Sequence, residues 1–248
     1  MNWVYLSPHF DDAVLSCGGL IWEQTQAGNH AQIWTICAGG PKSEPLSDFA
    51  QSLHSRWETG DQAVKSRRRE DRIACARLSA APRRFSVLDC IYRRSDQIGF
   101  LYATEEALFG PLHPAEQGLV SELSADLAQA LAPGDKLVAP LALGGHVDHR
   151  LTRAAAESIG QVLWYYADYP YVCRHLDQIQ DLRQAGWEET LFDVSPEGLV
   201  AWQEAIAAHR SQISTFWSSL ETMYAEIHAY LDLMGGVLLW KPPNDPQE

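Results

Sequence analysis

The sequence predicts an α/β fold: a Rossmann-like open, mostly parallel sheet with helices on both faces and a helical addition at the C-terminus. Three observations predict it. Short apolar or β-branched runs alternate with helical periodicity as far as residue 167, the order that builds right-handed parallel strand–helix–strand units. Two of those runs, Trp3–Leu6 and Lys136–Ala139, are each followed closely by a cluster of His and Asp. From Leu199 to Tyr230 the alternation gives way to apolar residues three to four apart, which is a helical period.

Taken in order, residues 3–6 read as a short buried strand bounded by Pro8. Residues 13–27 read as a helix closed by Gly28-Asn29, with Asp11 or Asp12 available to cap its N-terminus, where the helix dipole favours a carboxylate. Gly18-Gly19 inside that helix reads as a site of close packing. Ala31–Cys37 is a second strand, and the polar stretch 41–60 a long surface loop, a length that usually signals function or mobility. A helix from Asp61 to about Ser79 contains Arg67-Arg68-Arg69. Phe85–Asp89 is a third short strand, 91–117 is irregular, and Leu119–Leu131 is a helix stopped by Pro133-Gly134. Lys136–Ala139 is a buried strand, Leu151–Ile159 a helix and Val162–Ala167 a strand that ends in Asp168-Tyr169-Pro170-Tyr171. One long helix or two in succession follow, then a strand at Val237–Trp240 and a Pro-rich polar tail. The expectation is a single domain, 1–248, with a core over 1–170 and a helical extension over about 171–240. The extension either completes the core or makes a homo-oligomer interface, and its apolar stripe favours the core.

Composition removes several function classes. Nineteen basic against thirty-two acidic residues give a net charge of −13, which repels phosphate backbones and anionic lipid and argues against nucleic-acid or membrane partners. No N-terminal stretch joins a basic region to an apolar run, so a cytoplasmic location is expected. Five scattered cysteines without a C-x-x-C pair are neither a disulfide framework nor a zinc finger; they read as small buried hydrophobes. Nine Trp and nine Tyr are mostly core, but such rings also stack on sugars.

The two clusters carry the chemistry. Ser7-Pro8-His9-Phe10-Asp11-Asp12 and Gly144-Gly145-His146-Val147-Asp148-His149 both stand where a strand ends and a helix begins, the edge at which open α/β sheets bind ligands. Alone, an Asp there is a cap and a His a hydrogen-bonded structural residue. Together they offer His9, Asp11, Asp12, His146, Asp148 and His149 around one metal ion. Two imidazoles and a carboxylate suit zinc and leave a position open, as in catalytic sites. A remaining carboxylate serves as general base and a remaining His stabilises an oxyanion, an inventory complete for hydrolysing an amide.

Here the sequence resembles the PIG-L/LmbE-like deacetylases, metal-dependent enzymes that remove acetyl groups from N-acetylglucosamine conjugates and related amides. Pro8-His9-Phe10-Asp11-Asp12-Ala13 stands in place of their A-H-P-D-D-E motif, His146-Val147-Asp148-His149 matches H-x-D-H, and Arg67-Arg68-Arg69-Glu70 fits R-x-x-E. The resemblance covers roughly residues 1–170. It implies that His9, Asp12 and His149 bind one zinc, or another divalent metal, per chain. It makes Asp11 the general base that takes a proton from the attacking water and passes it to the leaving amine. His146, held by Asp148, stabilises the tetrahedral intermediate, and Arg67 faces a phosphate or hydroxyl of the substrate, unless it is one of several arginines on a solvated helix face. Phe10 in place of Pro and Ala13 in place of an acidic residue are departures that touch no proposed ligand. The substrate implied is a small N-acylated molecule containing a sugar. Competing readings are hydrolysis of another amide, such as an acylated antibiotic or thiol precursor, and a non-catalytic Rossmann-like binding protein. Nucleotide binding is disfavoured because no G-x-G-x-x-G follows the first strand.

Overall fold

A computed structural model of the chain describes residues 1–41 and 45–243. The tail expected at the end of the chain lies mostly outside the described residues, as does part of the expected 41–60 loop. The elements run β1 (Asn2–Ser7), α1 (Asp12–Gln26), β2 (His30–Thr35), α2 (Asp48–Arg56), α3 (Ala63–Arg77) and β3 (Ala81–Arg84). A two-stranded hairpin of β4 (Arg94–Ser95) and β5 (Gly99–Phe100) precedes α4 (Gln117–Ala130), β6 (Lys136–Pro140), α5 (Val147–Glu157) and β7 (Leu163–Tyr166). The rest is α6 (Leu176–Gln184), β8 (Glu188–Phe192), α7 (Pro196–Ala208), α8 (Arg210–Phe216), α9 (Leu220–Met234) and β9 (Val237–Lys241).

The main sheet has seven strands in the order β3-β2-β1-β6-β7-β9-β8. β1, β2, β3, β6 and β7 are parallel, while β9 runs antiparallel to both β7 and β8. Trp3, Val4, Tyr5 and Leu6 are all buried, the continuous apolar run that a strand covered on both faces requires. The strand order moves outward from β1 to β3 on one side and from β6 to β7 on the other. Right-handed crossovers then put α1 and α3 on one face and α4 and α5 on the opposite face. The order turns between β1 and β6, which pair directly through Trp3–Tyr5 and Lys136–Val138. This switch point is where a crevice opens at the carboxyl ends of the strands.

The C-terminal helices form a further layer over α1. Residues on every side of α1 are buried, including Val14, Leu15, Cys17, Leu20 and Ile21, as expected of a helix enclosed rather than one facing water. Trp202 of α7 is fully buried against it and its indole N–H donates to the Val14 carbonyl at 2.7 Å. Ile206, Met223, Ile227 and Tyr230 join the same buried cluster as β1 and β6, so the apolar stripe of this region completes the core. Two glutamates fasten the layer. Glu23 accepts the backbone N–H and hydroxyl of Ser195 at 2.7 and 2.6 Å, and Glu70 accepts those of Ser211 at 2.9 and 2.7 Å.

Several boundaries differ from those read in the sequence. The third strand is Ala81–Arg84 rather than Phe85–Asp89. It is an edge strand, where exposed Arg83 and a proline at position 82 are tolerated and no apolar signature is needed. A helix occupies 48–56 within the expected loop, capped by the Ser47 hydroxyl accepting from Ala50 N–H at 3.0 Å. α5 begins at Val147, not Leu151, so the second cluster lies in its first turn. The stretch beyond residue 195 holds three helices rather than one or two, and α6 and edge strand β8 precede them without a clear signal in the sequence pattern. Four cysteines are buried as expected, but Cys173 is exposed. Among the described residues no helix is long and apolar enough to cross a membrane.

The close approach of α7 to α1 rests on Gly18 and Gly19. A Cβ on Gly18 would lie 2.3 Å from Trp202 Cδ1, and one on Gly19 2.9 Å from Val194 Cγ1. Alanine is favoured over glycine in a free helix by about 1 kcal/mol, while overpacking a core costs typically about 1–3 kcal/mol. Gly18→Ala is therefore expected to lower the unfolding free energy in a urea titration by about 1–2 kcal/mol. A more stable variant would show that Trp202 is not wedged there.

Candidate active site

Three parallel strands deliver the site from their carboxyl ends. After β1 the Ser7 hydroxyl donates to the His9 carbonyl at 2.5 Å and accepts from Ala13 N–H at 3.0 Å. Asp12 Oδ2 takes the His9 backbone N–H at 2.6 Å. These bonds fold residues 7–13 into a rigid step onto α1. After β6 the chain turns through left-handed conformations at Ala142, Gly144 and Gly145 (φ 58°, 78° and 77°). A Cβ on Gly144 would lie 2.9 Å from the Tyr171 ring, so glycine is needed there both for its backbone angle and for space. The turn ends with His146 as the N-cap of α5, its Nδ1 accepting from Asp148 N–H at 3.2 Å.

Donor atoms of His9, Asp12 and His149 all lie within 4.8 Å of one another. His9 Nδ1 is 3.1 Å from Asp12 Oδ2, and His149 Nε2 is 3.3 Å from Asp12 Oδ1. Ligands on a tetrahedral zinc at about 2.0–2.1 Å stand about 3.3 Å apart, so the spacing suits one ion. The far side of each imidazole is held by a buried carboxylate. His9 Nε2 contacts Asp148 Oδ2 at 2.9 Å, and His149 Nδ1 contacts Asp168 Oδ1 at 2.5 Å. Because a carboxylate accepts, each ring keeps a proton on that side, and with a metal bound would turn the lone pair of its other nitrogen inward, the arrangement around ligating histidines generally. On both criteria the residues fit a metal ion.

The electrostatics agree with that demand for positive charge. Burial acts to lower the pKa of His9, but Asp12 and Asp148 override it and raise it well above its ordinary value. His149 is likewise raised, to about 10, with Asp12 and Asp168 overcoming burial. Burial acts to raise the pKa of Asp12, yet His149 and His9 hold it well below the carboxylate range. His146 goes the other way, down to about 3, through burial and the neighbouring His9 and His149. It is a neutral ring whose Nδ1 accepts from the backbone, which leaves its proton on Nε2.

The sequence-identified residues therefore converge, with two differences in detail. Asp148 does not hold His146 through its carboxylate. Its backbone N–H does that, and its side chain holds His9 instead. Arg67 is not on a solvated face. It is buried, with Nη2 at 3.1 Å from Asp11 Oδ1 and Nη1 at 3.6 Å from Asp89 Oδ2. Its guanidinium lies 5.0 Å from the Trp57 ring centroid and 5.5 Å from that of Phe10, so the phenylalanine that departs from the usual motif packs against this arginine. Ala13, the other departure, is fully buried. Asp89 and Asp168 are site residues that the sequence reading misses, although each follows a strand or a strand-like run as the first cluster does.

His9, Asp11, Asp12, Arg67 and His146 line a pocket of about 470 Å³. Its walls include Trp57, Phe109 and Tyr171, and the C-terminal layer contributes Gln212, Phe216 and Trp217. A carboxylate, a ring N–H and a candidate metal position thus face one aromatic-walled cavity. That is the equipment for adding water across a polarised carbonyl.

Known proteins resemble the chain in the same terms. The sequence profile of PIG-L, described as GlcNAc-PI de-N-acetylase, matches residues 4–159. The 2'-N-acetylparomamine deacetylase of Niallia circulans is 30% identical over 203 residues, covering 75% of this chain and 72% of the relative. Its namesake in Streptomyces fradiae is 31% identical over 204 residues, covering 79% and 67%. The crystal structure of the zinc-inhibited form of teicoplanin deacetylase Orf2 superposes with a TM-score of 0.82 at 26% identity over the whole of both chains. Enzymes of this kind are metal-dependent. The chain belongs to the PIG-L de-N-acetylase family and is a hydrolase that removes an acetyl group from an amide nitrogen.

Proposed function

We propose that the protein is a zinc-dependent de-N-acetylase of N-acetylated amino-sugar conjugates, with His9, Asp12 and His149 holding the metal, Asp11 as general base and His146 as oxyanion donor. The observation that carries this is the convergence of three metal donors within 4.8 Å beside a pocket lined by Asp11 and His146. Its relatives act on 2'-N-acetylparomamine and teicoplanin by name, and an aromatic-walled pocket suits a sugar ring. This favours an amino-sugar substrate over an unrelated amide and over a non-catalytic binding role. The larger of two buried clusters draws on residues from Trp3 to Trp240, which supports the single-domain reading of 1–248.

Zinc, when bound, polarises the amide carbonyl and makes a water molecule acidic enough to be deprotonated near neutral pH. Asp11 accepts the proton as water attacks the carbonyl carbon, and His146 Nε2–H donates to the oxygen on which negative charge develops. The C–N bond then breaks, Asp11 returns the proton to the departing nitrogen, and acetate and a free amine are released. Arg67 is already matched by Asp11 and Asp89, so little of its charge remains for a substrate anion. Its proposed part is to fix the Asp11 carboxylate while lining the pocket.

Two outcomes are expected with an N-acetylated amino sugar as substrate. Asp11→Asn should retain stoichiometric zinc while lowering kcat by about 10²–10⁴-fold, read from acetate release and metal analysis; an intact rate would remove Asp11 from the mechanism. Arg67→Met should lower kcat by about tenfold or more with KM little changed, as expected for a group that aligns the base. A rise in KM at constant kcat would instead make Arg67 a substrate-binding residue.

A further inference from the structure

The irregular stretch between Cys90 and Glu116 carries a buried cation that the mechanism above does not use. Arg93 is 5% exposed. Its Nε lies 2.6 Å from Glu116 Oε1 and its Nη1 2.6 Å from Asp148 Oδ1, charge contacts rather than aligned hydrogen bonds, and Nη1 donates to the Leu88 carbonyl at 3.4 Å. The Tyr102 ring centroid is 5.1 Å from the guanidinium, and the Tyr102 hydroxyl donates to Glu116 Oε2 at 2.6 Å. The two oxygens of Asp148 are thus divided: Oδ1 meets Arg93, while Oδ2 receives His9 Nε2 and the Cys90 N–H at 2.9 and 3.0 Å. All these charges sit where solvent cannot screen them, so their partners determine where Asp148 points.

We propose that Arg93 is a positioning residue for the metal centre: by its charge against Asp148 Oδ1 it keeps Oδ2 on His9 Nε2, so that His9 presents Nδ1 to the metal position beside Asp12. Glu116 and Tyr102 hold Arg93 in its turn. A buried ion pair that served stability alone has no reason to end on the ring nitrogen opposite a ligand atom. This chain ends there: Arg93 meets Asp148, Asp148 meets His9, and His9 faces the metal position. The inference rests on the reading of His9 as a zinc ligand.

The test is the zinc affinity of the full-length protein, measured by competition with a chromophoric chelator. Arg93→Met is expected to weaken zinc binding by about 10–100-fold, the usual cost of losing a partner behind a ligand. Arg93→Lys should restore most of that loss. In an Asp148→Asn background, Arg93→Met should add less than about threefold, because its effect passes through that carboxylate. At saturating zinc, kcat and KM of Arg93→Met should return close to those of the unmodified enzyme. Should Arg93→Met fail to fold, Arg93→Gln, which keeps a hydrogen-bond donor, carries the same comparisons. A folded variant with unchanged zinc affinity, or a full additive loss in the Asp148→Asn background, would overturn the assignment. An unmodified protein that binds no zinc would instead overturn the ligand reading beneath it.

Discussion

Asp12 lies between two imidazoles in a place that water barely reaches, and the architecture of the sheet edge follows from satisfying it. Its oxygens face His9 on one side and His149 on the other. Burial penalises every charge in this cluster, yet the carboxylates outnumber the cations that the nearby side chains provide. Asp148 and Asp168 stand behind the two histidines, and Asp11 and Asp89 share Arg67. A cation at the centre would offset that excess. The same field separates the histidines. His9 and His149 are drawn toward the protonated form by the carboxylates, whereas His146, packed against the other two rings, is held neutral. A ring kept neutral with its proton on Nε2 suits a hydrogen-bond donor to a developing oxyanion.

This concentration of charge is tolerable because the fold encloses it firmly. β1 and β6 are adjacent and parallel, so the loops that leave them emerge side by side, and β7 adds Asp168 from the next strand along. The C-terminal layer then closes over α1 through Trp202 and the Gly18–Gly19 notch. That layer also supplies Gln212, Phe216 and Trp217 to the pocket wall. The extension thus stabilises the catalytic edge and shapes what can reach it. Glu70, the last residue of the R-x-x-E run, ties α3 to α8, while Arg67, its first, reaches Asp11. One helical turn connects the chemistry to the wall of the pocket.

The parts legible in the sequence are those whose signal is local. Trp3–Leu6 and Leu137–Ala139 announce buried parallel strands, and a His–Asp cluster after each has no packing explanation. Edge elements are harder to read. β3 is Ala-Pro-Arg-Arg and β8 begins Glu-Glu-Thr, because a strand paired at the rim of a sheet needs neither alternation nor apolar content. The start of α5 is hidden because His146 caps it and its first turn holds the His–Asp cluster rather than a periodic apolar pattern. The partners behind the ligands are hidden for another reason. Asp168, Asp89 and Arg93 are single residues whose meaning depends on which neighbour they touch across the fold, and no spacing rule encodes that. The exchange of roles by Asp148, from His146 to His9, is of this kind.

Everything proposed for this site depends on a metal held by His9, Asp12 and His149. Zinc K-edge X-ray absorption on the zinc-loaded protein tests that assignment most directly, because the alternatives differ in ligand chemistry. The expected spectrum has a nitrogen and oxygen shell at about 2.0–2.2 Å, with the outer-shell scattering of two imidazoles and no sulfur. A zinc–sulfur distance of about 2.3 Å would contradict it, and would move the ion to Cys90, whose thiol lies within ligand range of Asp89 and Asp148.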